Sequence, residues 1–408
     1  MTAKSGLGWA WDSLPTTETS AFGIFIDVGS RDEDPGAWGA AHFLEHAVFK
    51  GAGELGGRQI AERIDRWGGE VNAFTTRDYT CFYGKSMDAQ LGDVYQLVRN
   101  LVDRPWLAED DIRRERQVIL SEMADAKDSA EDRVEEGLLP AIYDDERLTH
   151  DILGTAESVQ ALTSDGLGAF CGQHYRPERM VVALAGEAGR HLATAVDNRG
   201  FRPRQRPRPM PRAQAHEVLV DEDREQIEIL LGVPAPGLNA PGAYAVDVLT
   251  GVLGGQTSSR LWQRLREAEG LVYSIHADYQ AEPDWGIMTI GLAVHPDRVV
   301  RALAAVGEEL WRARSEGFVS DELDRAKVQL QSGLRFGLET VDRRMLRLGR
   351  YLLTGRRPPT PAEMDRAWLA IHTDDLIEWV DRLWGKSERI GVSAFGPLDG
   401  RKSLRALL

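Results

Sequence analysis

Hydrophobic and polar positions along this chain fall into one succession of segments that occurs twice. The run Ala21-Phe22-Gly23-Ile24-Phe25-Ile26-Asp27-Val28 is short, apolar and rich in branched and aromatic residues, which predicts a buried strand. A helical pattern around residues 40–47 follows it, then a second helix near Arg58 to Trp67. Strands are expected near Glu70 to Ala73 and Thr80 to Lys85, and a helix near Gln90 to Asp103. The later sequence repeats this order. Gln226-Ile227-Glu228-Ile229-Leu230-Leu231-Gly232-Val233 plays the first strand, helices follow near Tyr244 to Leu253 and Ser259 to Glu267, and strands near Tyr273 to Asp278 and Trp285 to Leu292. A further helix begins at about Asp297. One order used twice predicts two duplicated α+β domains, each a sheet with helices packed on one side.

The sharpest change of composition separates the two. Asn198-Arg199-Gly200-Phe201-Arg202-Pro203-Arg204-Gln205-Arg206-Pro207-Arg208-Pro209-Met210-Pro211-Arg212 is rich in proline, which blocks both helix and ladder hydrogen bonding. We therefore expect a first domain over 1–197, an extended linker over 198–215 and a second domain over 216–408. We expect the linker arginines to keep it solvated and to clip it onto acidic domain surfaces, in preference to binding an acidic partner.

At 408 residues with 42% hydrophobic content, the chain can bury two substantial cores. Its formal net charge of −15 argues against nucleic acid or an anionic membrane as a partner. That charge would suit basic peptides, although solubility explains it more simply. Cys81 and Cys171 are the only cysteines, which excludes a disulfide framework and suits a reducing compartment. No apolar run approaches membrane-spanning length, and Met1-Thr2-Ala3-Lys4-Ser5-Gly6 carries no signal-peptide core. A soluble cytoplasmic protein is the expectation.

The chemistry concentrates in His42-Phe43-Leu44-Glu45-His46, which reads H-x-x-E-H. Helix positions four apart differ by about 40° around the axis and about 6 Å along it. His42 and His46 can thus aim two imidazoles at one metal ion, with Glu45 on the same face beside them. Catalytic zinc usually takes three protein ligands, and the best source of the third is the segment from Arg114 to Glu122. Its two glutamates, Glu115 and Glu122, lie about two helical turns apart and share a face. The repeat offers no such set. Where the motif would fall, it reads roughly Val248-Leu249-Thr250-Gly251-Val252. Gly254-Gly255-Gln256-Thr257-Ser258-Ser259-Arg260 is glycine-rich and opens a helix, but it lacks both a P-loop lysine and a strand directly before it. We read it as a flexible turn.

These residues resemble the pitrilysin or insulinase-like zinc peptidases, whose motif is the inverted order of the ordinary zincins. Gly39 through Gly51 looks like that family's zinc helix and the turn leaving it, with Ala47 where relatives often carry methionine. The resemblance makes Glu122 the third metal ligand and Glu115 the supporting glutamate. It also makes Gly68-Gly69-Glu70-Val71-Asn72-Ala73-Phe74-Thr75 the segment lining the substrate cleft, through Asn72, Ala73 and Phe74. Arg266 and Tyr273 match an arginine–tyrosine pair that reaches the substrate near the metal.

What the resemblance implies is a zinc endopeptidase holding one zinc per chain. Glu45 acts as general base on a water, and Tyr273 helps stabilise the oxyanion. The implied fold is α+β, with two homologous domains, each a mainly antiparallel sheet with helices on one face, forming half of a clam-shell chamber. A homodimer, or a heterodimer with a homologous subunit, would complete that chamber around a peptide substrate. Two alternatives stay open. One is a leader-peptide or precursor-processing subunit of a heterodimeric maturation peptidase. The other is a catalytically silent assembly subunit, against which the complete metal set argues.

Overall fold

The computed structural model describes residues 8–195 and 208–408. Most of the proline-rich linker expected over 198–215 therefore lies outside the described residues, as does the start of the chain. Two compact units make up the rest. The first gathers described residues from 1–124, 150–207 and 336–359, and the second from 125–149, 208–335 and 360–408.

The first unit is built on strands β1 (Trp9–Asp12), β2 (Thr19–Ile26), β3 (Glu70–Thr75), β4 (Thr80–Met87) and β5 (Met180–Ala185). They lie in the order β1-β5-β2-β4-β3, and only the β1–β5 pair is parallel. The second unit repeats the plan with β6 (Glu217–Asp221), β7 (Ile227–Pro234), β8 (Val272–Ala281), β9 (Gly286–Val294) and β10 (Gly391–Gly396). Its order is β6-β10-β7-β9-β8, again with a single parallel pair, β6–β10. The duplication read from the sequence is thus present strand for strand.

Helices α1 (Ala40–Ala47), α2 (Gly57–Trp67), α3 (Leu91–Asp103) and α4 (Glu109–Asp128) belong to the first half of the chain. Alternation along β2 explains how the first sheet is covered. Phe22, Ile24 and Ile26 point into a core with Phe43 and Leu44 of α1, Val98 and Leu101 of α3, and Ile112 and Ile119 of α4. Ala21 and Phe25 point the other way, onto Val341, Met345 and Leu348.

That opposite face, left uncovered in the sequence expectation of helices on one side, also carries a helix, and in each unit it comes from the other half of the sequence. In the first unit it is Val341–Leu353, which presses so closely that a Cβ on Gly349 would stand 2.1 Å from the Phe25 ring. In the second unit it is Ala130–Ile142, where Leu138 and Ile142 pack on Leu230 and Ile287. A strand covered on both faces reads as a largely apolar run, as Ala21 to Ile26 of β2 and Ile229 to Val233 of β7 do.

Two local expectations need correction. The helix expected over Ser259 to Glu267 is wound more widely than an α-helix: Trp262–Ala268 forms a π-helical turn. The counterpart of the metal motif also shifts. α1 and the helix Ala243–Leu253 each follow a left-handed glycine, Gly39 at φ 88° and Gly242 at φ 93°. Matching these caps sets Ala245 to Leu249, rather than Val248 to Val252, against His42 to His46. Ala245, Val248 and Leu249 are core residues. Among the described residues, no helix is long and apolar enough to cross a membrane.

Within that matched helix Asp247 stands where the first unit has Leu44. Its carboxylate accepts a hydrogen bond from Trp368 Nε1 at 3.0 Å, yet burial pushes its pKa up from the ordinary 3.8 to about 6. A group that binds its proton more tightly when folded stabilises the fold below its unfolded pKa. That contribution disappears as pH rises through about 6. Asp247→Asn should therefore match the parent near pH 4 and exceed it at pH 7 by on the order of 1–2 kcal/mol in urea unfolding. A difference between the two proteins that does not vary with pH would contradict this account.

Candidate metal centre

Helix α1 is positioned by its apolar stripe. Ala40, Phe43, Leu44 and Ala47, at helical spacing, are all buried in the core. Their burial leaves His42, Glu45 and His46 on the adjoining flank. The start of the helix is held by Glu33, whose side chain is 0% exposed. Its two carboxylate oxygens accept the backbone N–H of Gly39 and of Ala41, each at 2.7 Å. His150 Nε2 lies 3.2 Å from the same carboxylate, and the His150 ring stacks on Trp38 at 5.0 Å. Burial raises the Glu33 pKa, and these bonds oppose the rise. Sequence reasoning missed this residue, because Asp32-Glu33-Asp34 reads as an acidic turn with nothing to mark its middle member.

Helix α4 turns Ile112, Glu115, Ile119 and Met123 inward. Glu115 is only 4% exposed and binds His46 Nδ1 at 2.9 Å and Lys50 Nζ at 2.5 Å. Two turns later, Glu122 brings one carboxylate oxygen to 3.8 Å from His42 Nε2 and the other to 3.7 Å from His46 Nε2. Ligand atoms of His42, His46 and Glu122 all lie within 4.8 Å of one another, the single such grouping among the described residues. A tetrahedral ion with bonds of about 2.0–2.1 Å would separate its ligand atoms by roughly 3.4 Å, a small inward adjustment. Burial and the neighbouring His46 lower the His42 pKa to about 4, which keeps its imidazole neutral and its lone pair available. Two imidazole nitrogens and one carboxylate fit zinc.

Beside these ligands Glu45 is half-buried, and Thr75 Oγ1 donates to its Oε2 at 2.6 Å. Burial raises the Glu45 pKa, with the Glu122 charge adding to the effect, while Thr75 and His46 oppose it. Thr75 ends β3, the edge strand of its sheet. On that strand Ala73 faces the core that α1 joins, and the Ala73 N–H donates to Asn72 Oδ1 at 2.8 Å. Phe74 turns to the opposite face, where its ring packs edge-on against Tyr79 at 5.9 Å and near Tyr83 at 6.1 Å.

Arg266 and Tyr273 are brought together in the second unit. The Arg266 guanidinium donates to the Tyr273 carbonyl and lies over the rings of Trp262, at 4.6 Å, and Tyr273, at 5.7 Å. Tyr273 is 69% exposed. In the first unit, the structure groups His42, Glu45, His46, Glu115 and Glu122, with Asn72 and Ala73 on the neighbouring edge strand.

Comparison with known proteins gives a consistent result. Residues 9–156 match the family described as insulinase (peptidase family M16), and residues 161–330 match the peptidase M16 inactive domain. An uncharacterized zinc protease of Mycobacterium leprae is 36% identical over 99% of this chain and 92% of its own length. Another from Streptomyces coelicolor is 32% identical, covering 99% of this chain and 90% of its own. Among solved structures, a peptidase M16 inactive domain from Pseudomonas fluorescens superposes with a TM-score of 0.84 at 19% identity, over 97% of each chain.

The Glu33 geometry generates a test of its own. Glu33→Ala strips the acceptor from two buried backbone N–H groups and should destabilise the protein by about 2–4 kcal/mol. Glu33→Gln, which keeps one acceptor oxygen, should lose less. Urea unfolding of both variants measures the effect, and a parental midpoint for Glu33→Ala would show that the cap contributes nothing.

Proposed function

The chain belongs to the insulinase (peptidase M16) family, and from that premise we propose that it is a zinc-dependent endopeptidase. One observation carries the reading: His42, His46 and Glu122 converge on one point while Glu45 is held beside it. When bound there, zinc would supply Lewis acidity, lowering the pKa of water and polarising a peptide carbonyl.

The remaining roles fall to the chain's own side chains. Glu45 takes the proton of the attacking water and later delivers it to the leaving amine. Glu115 holds His46 through Nδ1, which orients Nε2 and increases its basicity. The open edge of β3 accepts an extended peptide by strand addition, and the Asn72 side chain gives up the Ala73 N–H as it does so. Arg266 and Tyr273 grip the substrate and donate to its carbonyl oxygen. We assign them to the metal centre of a partner chain in a two-fold homodimer, with a homologous heterodimer as the other arrangement. A cytoplasmic location is part of this proposal and rests on composition.

Substitution separates metal binding from chemistry. Elemental analysis should find clear zinc loss in Glu122→Gln. Glu45→Gln should stay zinc-loaded while peptide hydrolysis falls by at least about a hundredfold, the scale of losing a general base. A folded, zinc-loaded and fully active Glu45→Gln protein would sink the mechanism.

Assembly is tested by mixing two inactive variants, Glu45→Gln and the double variant Arg266→Ala with Tyr273→Phe. Sites built from two chains regain activity in the mixed dimer, which recreates one intact site. If mixing restores nothing, the shared-site arrangement is wrong.

A further inference from the structure

We propose that Thr75 is a positioning residue for Glu45, its hydroxyl holding one carboxylate oxygen so that the other faces the water to be deprotonated. This inference rests on the peptidase reading of the same site. The Thr75 Oγ1 donates to Glu45 Oε2 at 2.6 Å, a short charge-assisted bond. No other hydrogen-bond donor among the described residues reaches the Glu45 carboxylate. A glutamate has three side-chain torsions, and only this bond ties the end of the side chain down.

Thr75 is suited to hold it because Thr75 itself cannot move far. As a β-branched residue it is stiff at χ1. Its backbone is paired with Thr80 at the end of the β3–β4 ladder. The turn that follows is closed by Thr76 N–H and Thr76 Oγ1, both donating to the Tyr79 carbonyl at 2.8 and 2.9 Å. Asp78 N–H and Tyr79 N–H donate back to Thr76 Oγ1 at 3.2 and 3.0 Å.

This turn is fastened in its turn to the segment that precedes α1. Ser30 N–H donates to the Thr76 carbonyl at 3.1 Å, and Arg31 N–H to the Arg77 carbonyl at 3.0 Å. Arg31 and Asp78 form a buried ion pair at 2.8 Å. The approach is so close that a Cβ on Gly29 would stand 2.3 Å from the Thr76 carbonyl oxygen. Two residues beyond Arg31, Glu33 caps α1, the helix that carries Glu45. The connections therefore close a ring from α1 through Glu33, Arg31, Asp78 and Thr76 to Thr75 and back to α1 at Glu45. Within this ring Thr75 sets the carboxylate relative to the strand edge where the peptide would lie.

Thr75→Val keeps the shape and removes the hydroxyl, while Thr75→Ser keeps the hydroxyl. With a fluorogenic peptide, Thr75→Val should lower kcat by about 10- to 100-fold with KM within about twofold of the parent, consistent with a lost contribution of general-base catalysis. Its zinc content should equal the parent's, and Thr75→Ser should recover most of the rate. A second readout needs no metal. In zinc-free protein, a double-mutant cycle of Thr75→Val and Glu45→Ala on urea unfolding should show coupling of about tenfold or more in the folding equilibrium.

Parental kcat in Thr75→Val overturns the proposal. So does a raised KM with kcat unchanged, which would make Thr75 a docking residue, and so does an additive cycle. If Glu45→Gln itself proves fully active, the peptidase reading fails instead, and the cycle still reports whether the Thr75–Glu45 bond exists.

Discussion

Everything at the candidate metal centre depends on one short helix lying in one orientation, and two constraints of different kinds impose it. Its apolar stripe, Ala40, Phe43, Leu44 and Ala47, is sunk in the sheet core, which fixes rotation about the helix axis. The Glu33 carboxylate grips the first free N–H groups, at Gly39 and Ala41, which fixes translation along it. A carboxylate at a helix N-terminus is favoured by the unsatisfied donors and the helix dipole together, and here burial sharpens both. With α1 immobilised, His42 and His46 meet Glu122 without any flexible loop supplying a ligand. Rigid elements hold the ligand atoms near the geometry a metal needs.

Against that frame the two glutamates of α4 divide their labour by depth. Glu115 sits in the inward stripe, where an unpaired carboxylate would be costly, and it is satisfied by His46 and Lys50. Glu122 lies two turns on, half exposed, with its oxygens turned to both Nε2 atoms. One helix thus provides both a ligand candidate and the group that orients a ligand.

The duplicated architecture shows what the second unit did with the same plan. Its helix Ala243–Leu253 opens on the same left-handed glycine cap, but Ala245, Val248 and Leu249 occupy the positions of the motif and point into core. Each sheet is sealed on its remaining face by a helix from the other half of the sequence. The two halves of the sequence therefore depend on each other to bury the backs of their sheets, although each carries a complete set of five strands.

Part of this was legible in the residues alone. Local periodicity set β2, β3 and β4, their counterparts β7, β8 and β9, and the helices between them, because hydrophobic alternation and helical spacing are properties of neighbouring residues. It did not reach β1, β5, β6 and β10, or the helices Ala130–Ile142 and Val341–Leu353. The H-x-x-E-H spacing placed His42, Glu45 and His46 on one flank for the same reason, and the seven-residue step put Glu115 and Glu122 on one face. Only the tertiary structure decided which face of α1 met which face of α4, and which glutamate went deep. It also decided that Phe74 turns away from α1, that Trp262–Ala268 widens to a π turn, and that the motif's counterpart begins at Ala245. Glu33 was invisible in sequence, and Thr75 stood there only as the last residue of the cleft-lining segment, since their partners at Gly39, Ala41, His150 and Glu45 are set by how the chain closes on itself. The sequence determined which chemistry-bearing residues share an element. Packing between elements, where burial and hydrogen-bond satisfaction compete over long separations, determined which of them touch.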